Sequence, residues 1–322
     1  MLRAAILDDY QNVAMKLADW SPIANDVEIK VFDTPFAGEA EAVKALQGFA
    51  VVAGMRERTP FPKAVIGALP DLKLLITTGA RNASFDIAAA NARGIVVCGT
   101  GGVGAPTTGI AFGLMLELTR RIGFENARLK NGAPWQVTLG RDLEGLTLGC
   151  LGLGKLGQRS AAVGKAFGMT PIAWSQNLTA ENAKAGGADY VSKDELFSRA
   201  DIVTIHVVLS ERTRALVGAR ELGLMKKTAY LVNTSRGPIV DEKALIAALN
   251  GKQIAGAGLD VYEREPAVHP GLLAMPNVVL APHISSATVR TRSEMSAMAA
   301  RNMATAVRGG RPPNLLNPDV KR

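Results

Sequence analysis

The stretch 146–158, L-T-L-G-C-L-G-L-G-K-L-G-Q, constrains the fold more than any other part of the chain. A short apolar run ends at Leu151, and three glycines follow before a predicted helix over Gln158–Phe167. In this strand–turn–helix context the first glycine permits a tight turn, the second lets a pyrophosphate approach the backbone, and the third lets helix and strand pack closely. The helix start would then hold the phosphates. A close-packed turn without ligand is the alternative, but the flanks favour a nucleotide site formed by Gly152, Gly154, Lys155, Leu156 and Gly157.

Apolar segments and helical patterns alternate along nearly the whole chain. Before residue 100, apolar segments predict strands over 3–8, 27–32, 49–53, 72–77 and 95–98. From residue 147 the pattern restarts, with strands over 147–151, 171–174, 202–207, 229–233, 254–259 and 278–280. Continuous apolar strands separated by helices are typical of parallel sheets covered on both faces, so the sequence predicts an α/β fold.

Two places divide this alternation into two domains. Residues 99–104, G-T-G-G-V-G, predict a flexible joint, and a long apolar helix is expected over Pro106–Ile122. That helix could be buried within one domain, lie beside the hinge or provide a dimer surface. A last helix, Thr288–Val307, has no strand after it and is expected to return to the first domain. We therefore place the domains at 1–100 with 288–322 and at 101–287.

Composition narrows the classes of function. The 322 residues are 48% hydrophobic, carry a formal net charge of +8 and include two cysteines. No apolar run approaches the roughly 18 residues that span a bilayer, and the first residues lack a signal-peptide pattern, so we expect a cytoplasmic protein without a membrane partner. Two cysteines suit a reducing compartment and predict no metal site. Basic residues interleave with acidic ones, which disfavours a nucleic-acid partner and suits an enzyme with anionic ligands.

Three strand ends in the second half carry side chains that could do chemistry. Arg236 follows one strand, Asp260 and Glu265 follow the next, and His283 follows the last. Ligands bind beyond the carboxyl ends of parallel strands, so these groups are expected at one crevice. A guanidinium binds a carboxylate in a bidentate manner, and a histidine beside a carboxylate can act as an acid or a base near neutral pH.

The other two histidines have simpler interpretations. His269 lies among turn residues and is predicted to be an exposed loop side chain. His206 ends an apolar strand. It is therefore either a histidine at the edge of the core whose ring nitrogens have hydrogen-bond partners within the protein, or a neighbour of the cofactor.

Four motifs together resemble the D-isomer-specific 2-hydroxyacid dehydrogenase family. They are G-L-G-K-L-G at 152–157, N-T-S-R-G-P-I-V-D at 233–241, G-L-D-V-Y-E-R-E-P at 258–266 and A-P-H-I-S-S-A-T at 281–288. Their order fits as well, and the resemblance covers essentially the whole chain. It implies two doubly wound parallel-sheet domains, a Rossmann cofactor domain inserted into a flavodoxin-like substrate domain, and a homodimer. The implied activity is hydride transfer between NAD(H) or NADP(H) and a small 2-keto or D-2-hydroxy acid, as in glyoxylate and hydroxypyruvate reductases.

The resemblance also assigns roles to individual residues. Arg236, Glu265 and His283 match a catalytic trio in which the arginine holds the keto acid and the histidine, kept protonated by the glutamate, donates the proton. Asp260 and Thr234 are implied to lie near the nicotinamide. In the first domain, backbone N–H groups of a loop are implied to bind the substrate carboxylate, and the best matches are Ala80 and Arg81. The alternatives are a phosphoglycerate or phosphite dehydrogenase on the same scaffold and a nucleotide-sensing binding protein.

Two regions depart from the family pattern. NAD-preferring members carry an acidic residue at the end of the second Rossmann strand, where this chain has Ser175 followed by Gln176. The missing acid removes repulsion against a 2′-phosphate, yet no arginine stands there to bind one, so the cofactor preference stays open. In the first domain the loop 55–59 is unusually basic. Arg56 or Arg81 either selects a second anionic group on the substrate or is a solvated loop charge.

Overall fold

The computed structural model describes residues 1–101 and 105–321. The chain divides into two compact units, the first formed by Met1–Val103 with Ala287–Arg322 and the second by Gly104–Ser286. Part of the predicted joint, residues 102–104, lies outside the described residues. Each unit contains its own parallel sheet. The chain is thus an α/β protein with two parallel-sheet domains.

The strands and helices of the described residues are numbered here in chain order. The strands are β1 (Leu2–Ile6), β2 (Val27–Val31), β3 (Val51–Gly54), β4 (Leu74–Thr77), β5 (Val96–Gly99), β6 (Thr147–Leu151), β7 (Thr170–Trp174), β8 (Asp189–Tyr190), β9 (Ile202–Ile205), β10 (Tyr230–Asn233), β11 (Gly256–Leu259) and β12 (Val278–Leu280). The helices are α1 (Glu39–Ala45), α2 (Lys63–Gly67), α3 (Ile87–Ala92), α4 (Ala105–Arg120), α5 (Ile122–Lys130), α6 (Lys155–Ala166), α7 (Ala180–Ala185), α8 (Lys193–Arg199), α9 (Ala219–Leu224), α10 (Glu242–Asn250), α11 (Pro270–Leu273) and α12 (Val289–Val307).

The sheet of the first unit has the strand order β2-β1-β3-β4-β5, with every pair parallel. This is the flavodoxin-like order that the resemblance implied. Strands β3, β4 and β5 are buried along their whole length, because helices cover both faces of the sheet. The order in which successive strands are added to the sheet reverses between β1 and β3, which is called the point of reversal below. Ligands of such sheets bind at the carboxyl ends of the strands at this point.

The sheet of the second unit has the order β12-β11-β10-β9-β6-β7-β8, again with every pair parallel. Counted from β6, the strands β8-β7-β6-β9-β10-β11 give the 3-2-1-4-5-6 order of a Rossmann sheet, and β12 extends it. The point of reversal lies between β6 and β9. The glycine turn follows β6, so it lies at the expected ligand-binding edge.

The two longest helices, α4 and α12, pack in different units. In the second unit, α4 packs against β10, β11 and α6, and Phe112, Met115 and Leu118 on its apolar face are buried there. In the first unit, α12 packs against β4 and buries Ala299 and Met303. The last helix of the described chain therefore packs on the sheet of the first unit. No helix of the described residues combines the length and apolar character needed to cross a bilayer.

The predicted elements are all present, but several boundaries were wrong. The first strand ends at Ile6 rather than residue 8, since Asp8 takes a left-handed conformation with φ 58°. The helix after the glycine turn begins at Lys155 rather than Gln158. Helices α5 and α11 and the two-residue strand β8 were not predicted, because each is short and its apolar residues show no clear periodicity.

Candidate active site

The glycine turn between β6 and α6 depends on two glycines. Gly152 has φ +99°, a conformation that favours glycine. A Cβ on Gly157 would lie 2.1 Å from the carbonyl oxygen of Gly152, so only glycine lets the first turn of α6 pack this closely against the end of β6. The strand and the helix start are therefore held together by backbone contact.

The start of α6 presents a cradle of unused backbone donors. Gly154 is the N-cap residue, and a Cβ placed on it would meet no atom within 4 Å. Within the described residues, the N–H groups of Lys155, Leu156 and Gly157 donate to no acceptor. Free donors at a helix N-terminus bind phosphate. The earlier start of the helix brings Lys155 and Leu156 into its first turn, where the sequence had placed them in the loop.

Two buried polar atoms beside this crevice lack a hydrogen-bond partner in the described chain. They are Nδ1 of His206 and Oγ1 of Thr234. The other ring nitrogen of His206 lies 3.1 Å from Oγ1 of Thr204, and burial lowers the pKa of His206 to about 4, so the ring is neutral at pH 7. Buried groups of this kind normally have a partner. Together with the open cradle at Gly154, they fit a bound dinucleotide, and His206 is better explained as a cofactor neighbour than as a satisfied core residue.

Ser175 and Gln176 directly follow β7, next to the glycine turn. The N–H of Gly152 donates to the carbonyl of Trp174 at 2.8 Å, so the end of β7 lies beside the turn. Ser175 is half-buried and Gln176 is exposed. This is the place where Rossmann proteins recognise the ribose.

Hydrogen bonds shape the turn that carries Arg236. Oδ1 of Asn233 accepts the N–H of Ser235 at 3.0 Å, and its Nδ2 donates to the carbonyl of Arg236 at 3.0 Å. A Cβ on Gly237 would lie 2.0 Å from the backbone of Tyr262, so this glycine lets the turn pack against the chain that follows β11. Arg236 comes near enough to Glu265 to lower the pKa of that carboxyl.

His283 and Glu265 form a hydrogen-bonded pair. Nδ1 of His283 lies 2.6 Å from Oε2 of Glu265, and Oε1 of Glu265 accepts the N–H of Tyr262 at 3.0 Å. Burial opposes ionisation of Glu265, but His283, the N–H of Tyr262 and the charge of Arg236 outweigh it, so its pKa lies below the ordinary value. An ionised carboxylate only accepts, so Nδ1 of His283 carries the proton of this hydrogen bond.

Asp260 anchors the loop that carries His283. Its carboxylate accepts the N–H of Ile284 at 2.8 Å, the N–H of Ser285 at 2.9 Å and the hydroxyl of Ser285. Its side chain is inaccessible to solvent, and burial raises its pKa although these hydrogen bonds and the charge of His283 oppose the shift. Since His283 itself has φ 51°, an uncommon conformation for a non-glycine residue, the loop needs this anchor to hold its shape. The structure thus gives Asp260 a positioning contact that the resemblance did not imply.

The first unit carries the other predicted site residues on the loop after β4. Ala80 and Arg81 are exposed, and among the described residues their backbone N–H groups donate to no acceptor. Arg56 lies against this loop, because a Cβ on Gly79 would be 2.8 Å from its Nη1. Asn82 donates to the carbonyl of Arg56 at 2.5 Å and to Oγ1 of Thr77 at 2.9 Å, which fixes the loop to its own strand.

Sequence reasoning missed two residues that support the loops of the second unit and one buried arginine of the first unit. Tyr262 donates from its hydroxyl to the carbonyl of Ala281 at 2.9 Å, and Ser285 holds Asp260. Arg292 lies on the buried face of α12 beside Met295, and an arginine within an apolar stripe was the signal that could have found it. His269 is exposed as predicted but caps α11 by accepting the N–H of Gly271. No group of three or more His, Cys, Asp and Glu in the described chain could hold a metal ion.

Comparison with known proteins identifies the family. A model of the D-isomer specific 2-hydroxyacid dehydrogenase NAD binding domain matches residues 112–285. The glyoxylate reductase of Thermococcus litoralis is 41% identical over 268 residues, which cover 80% of this chain and 81% of that protein. The phosphoglycerate oxidoreductase of Vibrio cholerae O395 has a similar structure, with a TM-score of 0.91, 32% identity and coverage of 96% of this chain and 100% of that chain. The chain therefore belongs to the D-isomer specific 2-hydroxyacid dehydrogenases, NAD(P)-dependent oxidoreductases that transfer hydride between the cofactor and a 2-keto or 2-hydroxy acid.

Proposed function

We propose that this enzyme reduces small 2-keto acids such as glyoxylate or hydroxypyruvate. The observation that carries the proposal is the 2.6 Å contact between His283 and Glu265, in a loop anchored by Asp260. The similarity to glyoxylate reductases supports this choice of substrate. The second unit binds the cofactor and the first unit binds the substrate.

His283 is the proton donor in this proposal. Glu265 orients the imidazole and holds a proton on Nδ1, so that a proton on Nε2 can pass to the carbonyl oxygen of the substrate. In the oxidative direction the neutral imidazole takes the proton back. The loop anchored by Asp260 keeps the ring oriented through both steps.

Arg236 and the loop of the first unit bind the substrate. The guanidinium of Arg236 holds the keto acid and draws electron density from its carbonyl, which favours attack at C2. The backbone N–H groups of Ala80 and Arg81 bind the substrate carboxylate. Their lack of an acceptor among the described residues supports this role.

The residues that would hold the cofactor surround the glycine turn. Gly152, Gly154, Lys155, Leu156 and Gly157 would bind the pyrophosphate, and Ser175 and Gln176 would contact the adenine ribose. His206, Thr234 and Asp260 would lie near the nicotinamide. When bound, the reduced nicotinamide supplies the hydride. Ser175 carries no charge that would repel a 2′-phosphate, and no arginine follows β7 directly to pair with one, so the cofactor is NAD(H) or NADP(H), and the assay below decides the preference.

The direct test is NADH and NADPH oxidation by the purified protein across a panel of 2-keto acids. Cofactor binding is followed separately by the protein-to-nicotinamide energy transfer signal. We expect turnover of glyoxylate or hydroxypyruvate with at least one cofactor. Cofactor binding without turnover of any 2-keto acid would contradict the proposal and favour the nucleotide-sensing alternative.

Phosphoglycerate oxidation on the same scaffold is the second candidate. The structural similarity to the phosphoglycerate oxidoreductase of Vibrio cholerae O395 favours it. Phosphite oxidation has no such specific support here. Adding 3-phosphoglycerate and phosphite to the assay in the oxidative direction distinguishes the three reactions.

We also propose a cytoplasmic homodimer. The sequence offered helix 106–122 as a dimer surface, but α4 uses its apolar face within its own unit. Six exposed large apolar side chains lie close together in sequence just after it, on α5 and the following segment: Ile122, Phe124, Leu129, Trp135, Val137 and Leu139. Replacing Trp135 by Ser and Leu139 by Ser should convert the dimer to a monomer in light scattering; an unchanged mass would exclude this surface.

A further inference from the structure

Arg292 is a buried arginine whose guanidinium is only partly used. It lies on α12, and 6% of its surface is exposed. Its Nη1 contacts Sδ of Met55, while Nε and Nη2 are buried and have no hydrogen-bond partner in the described chain. Among those residues no carboxylate lies within 4.0 Å of it. A buried charge without a partner is strongly unfavourable, so such an arginine calls for an anion.

The guanidinium borders a small cavity in the first unit. The cavity has a volume of about 30 Å³, and its polar lining comes from Asp9, Thr78, Ser296 and Arg292. Ile6 and Leu7 at the end of β1 and Ala53 and Met55 at β3 complete the wall. It therefore lies at the point of reversal in the sheet, where flavodoxin-like sheets bind their ligands.

Two further arginines lie close enough to Arg292 to affect its pKa. Burial, and after it the charges of Arg58 and Arg56, lower the pKa of Arg292 to about 10. Asp9 opposes this shift, but Oδ2 of Asp9 already accepts the N–H groups of Val13 and Ala14, both at 2.8 Å. An anion entering the cavity would meet the unused Nε and Nη2 donors of Arg292.

The cavity adjoins the loop that we propose binds the substrate carboxylate. Thr78, which lines the cavity, directly precedes Gly79, and its hydroxyl lies 3.0 Å from Sδ of Met55. The same hydroxyl accepts the N–H of Arg56 at 3.1 Å. Arg56 in turn lies against Gly79. A substrate held at Ala80 and Arg81 would therefore lie in the same loop region as Arg56 and the cavity that Arg292 borders.

We propose that Arg292, assisted by Arg56, binds a second carboxylate of the substrate, and that the preferred substrates are 2-keto dicarboxylic acids. This inference rests on the proposed 2-keto acid reduction. The cavity volume is close to that needed by two water molecules, which the two oxygens of a carboxylate can replace. Of the two interpretations that the sequence left open for Arg56, this proposal favours recognition of a second anionic group on the substrate over a solvated loop charge.

The test compares two substrates of similar size that differ in the second charge. These are oxaloacetate and 4-methyl-2-oxopentanoate, which carry a carboxylate and an isopropyl group on carbon 3. We expect the unmodified enzyme to show a kcat/KM at least tenfold higher for oxaloacetate. Arg292→Met should remove most of that preference, while kcat/KM for 4-methyl-2-oxopentanoate changes less than threefold. Arg56→Gln should also lower the ratio of kcat/KM for oxaloacetate over 4-methyl-2-oxopentanoate. This variant changes a loop side chain, so it leaves the core of the first unit unaltered.

The matched control is Arg290→Met, two residues away on the same helix, where the side chain is 78% exposed. It should leave both substrates unaffected. Equal kcat/KM values for the two substrates in the unmodified enzyme, or equal losses on both in Arg292→Met, would overturn the subsite. If Arg292→Met does not fold, the preference of the unmodified enzyme and its loss in Arg56→Gln decide the question. Turnover of neither substrate, nor of any other 2-keto acid, would instead contradict the proposed function itself.

Discussion

Nδ1 of His283 lies 2.6 Å from Oε2 of Glu265, although 18 residues separate them in the chain. Two different strand ends provide them, β12 for the histidine and β11 for the glutamate, and these strands are neighbours in the sheet. The same two strand ends are linked a second time by Asp260 and the N–H groups of Ile284 and Ser285. Backbone N–H groups therefore fix the carboxylate of Glu265 and, through Asp260, the loop that carries His283.

Replacing Glu265 by Gln tests the carboxylate of this pair. We expect kcat to fall by roughly 100-fold or more, because an amide neither stabilises the imidazolium nor fixes its tautomer. The pKa of Glu265 is lower in the folded protein than its ordinary value of 4.5, so its stabilising contribution is present above pH 4.5 and is lost as the pH falls through the lowered pKa. The difference in Tm between the two proteins should therefore shrink from pH 7 to pH 3. A difference that does not change with pH would contradict this account.

Asp260→Asn tests the anchor of the His283 loop. One carboxylate oxygen becomes an NH₂ group that faces a backbone N–H, so we expect the free energy of unfolding to fall by about 2 kcal/mol. The kcat should fall with it, because the loop no longer holds the imidazole. Urea unfolding of the cofactor-free protein measures the first effect. Asp142→Asn, at a side chain that is 88% exposed, is the control and should change neither quantity.

Gly154→Ala separates cofactor binding from folding. The added methyl group meets no atom within 4 Å, so the Tm of the cofactor-free protein should stay the same. The methyl group would occupy the space we assign to the pyrophosphate, so the Kd for NADH or NADPH should rise about tenfold or more. Gly157→Ala is the matched contrast, since its Cβ would clash with the carbonyl of Gly152 and lower the Tm. Unchanged cofactor affinity in Gly154→Ala would place the pyrophosphate elsewhere.

Ser175→Asp tests the ribose position. The new carboxylate would repel a 2′-phosphate and accept a hydrogen bond from a 2′-hydroxyl, so the ratio of kcat/KM for NADH over NADPH should increase by roughly tenfold. Steady-state kinetics with both cofactors measures this ratio. If the ratio stays as it was, this residue does not contact the ribose.

Much of the fold could be predicted because many of its central strands are buried along their whole length. In β3, β4 and β5 every residue faces the core, which gives continuous apolar runs that local sequence reveals. The start of α6 was missed because Gly157 lies in its first turn, and glycine has a low helix propensity. Helix α5 was missed because none of its residues is buried, so it has no apolar face to detect.

The contacts within the site were less predictable than its residues. The motifs identified His283, Glu265 and Asp260, but the hydrogen bonds of Asp260 reach residues 24 and 25 positions away. Such contacts depend on which strands become neighbours, and local sequence does not encode this. The left-handed conformation of His283 has the same origin, because it is maintained by the loop anchor rather than by residue preference. The apolar stripe of α12 marks Arg292 as a buried residue, but that its Nε and Nη2 lack a partner in the described chain likewise depends on which elements become neighbours.

The measurement that tests the account most directly is kcat for NADH- or NADPH-dependent reduction of glyoxylate by His283→Ala. Without the proton donor we expect kcat to fall by about 100- to 10,000-fold while the Kd for the cofactor stays the same. His269→Ala, at an exposed histidine that caps α11, should keep nearly full activity. Turnover by His283→Ala close to that of the unmodified enzyme would show that His283 is not the acid and would contradict the mechanism.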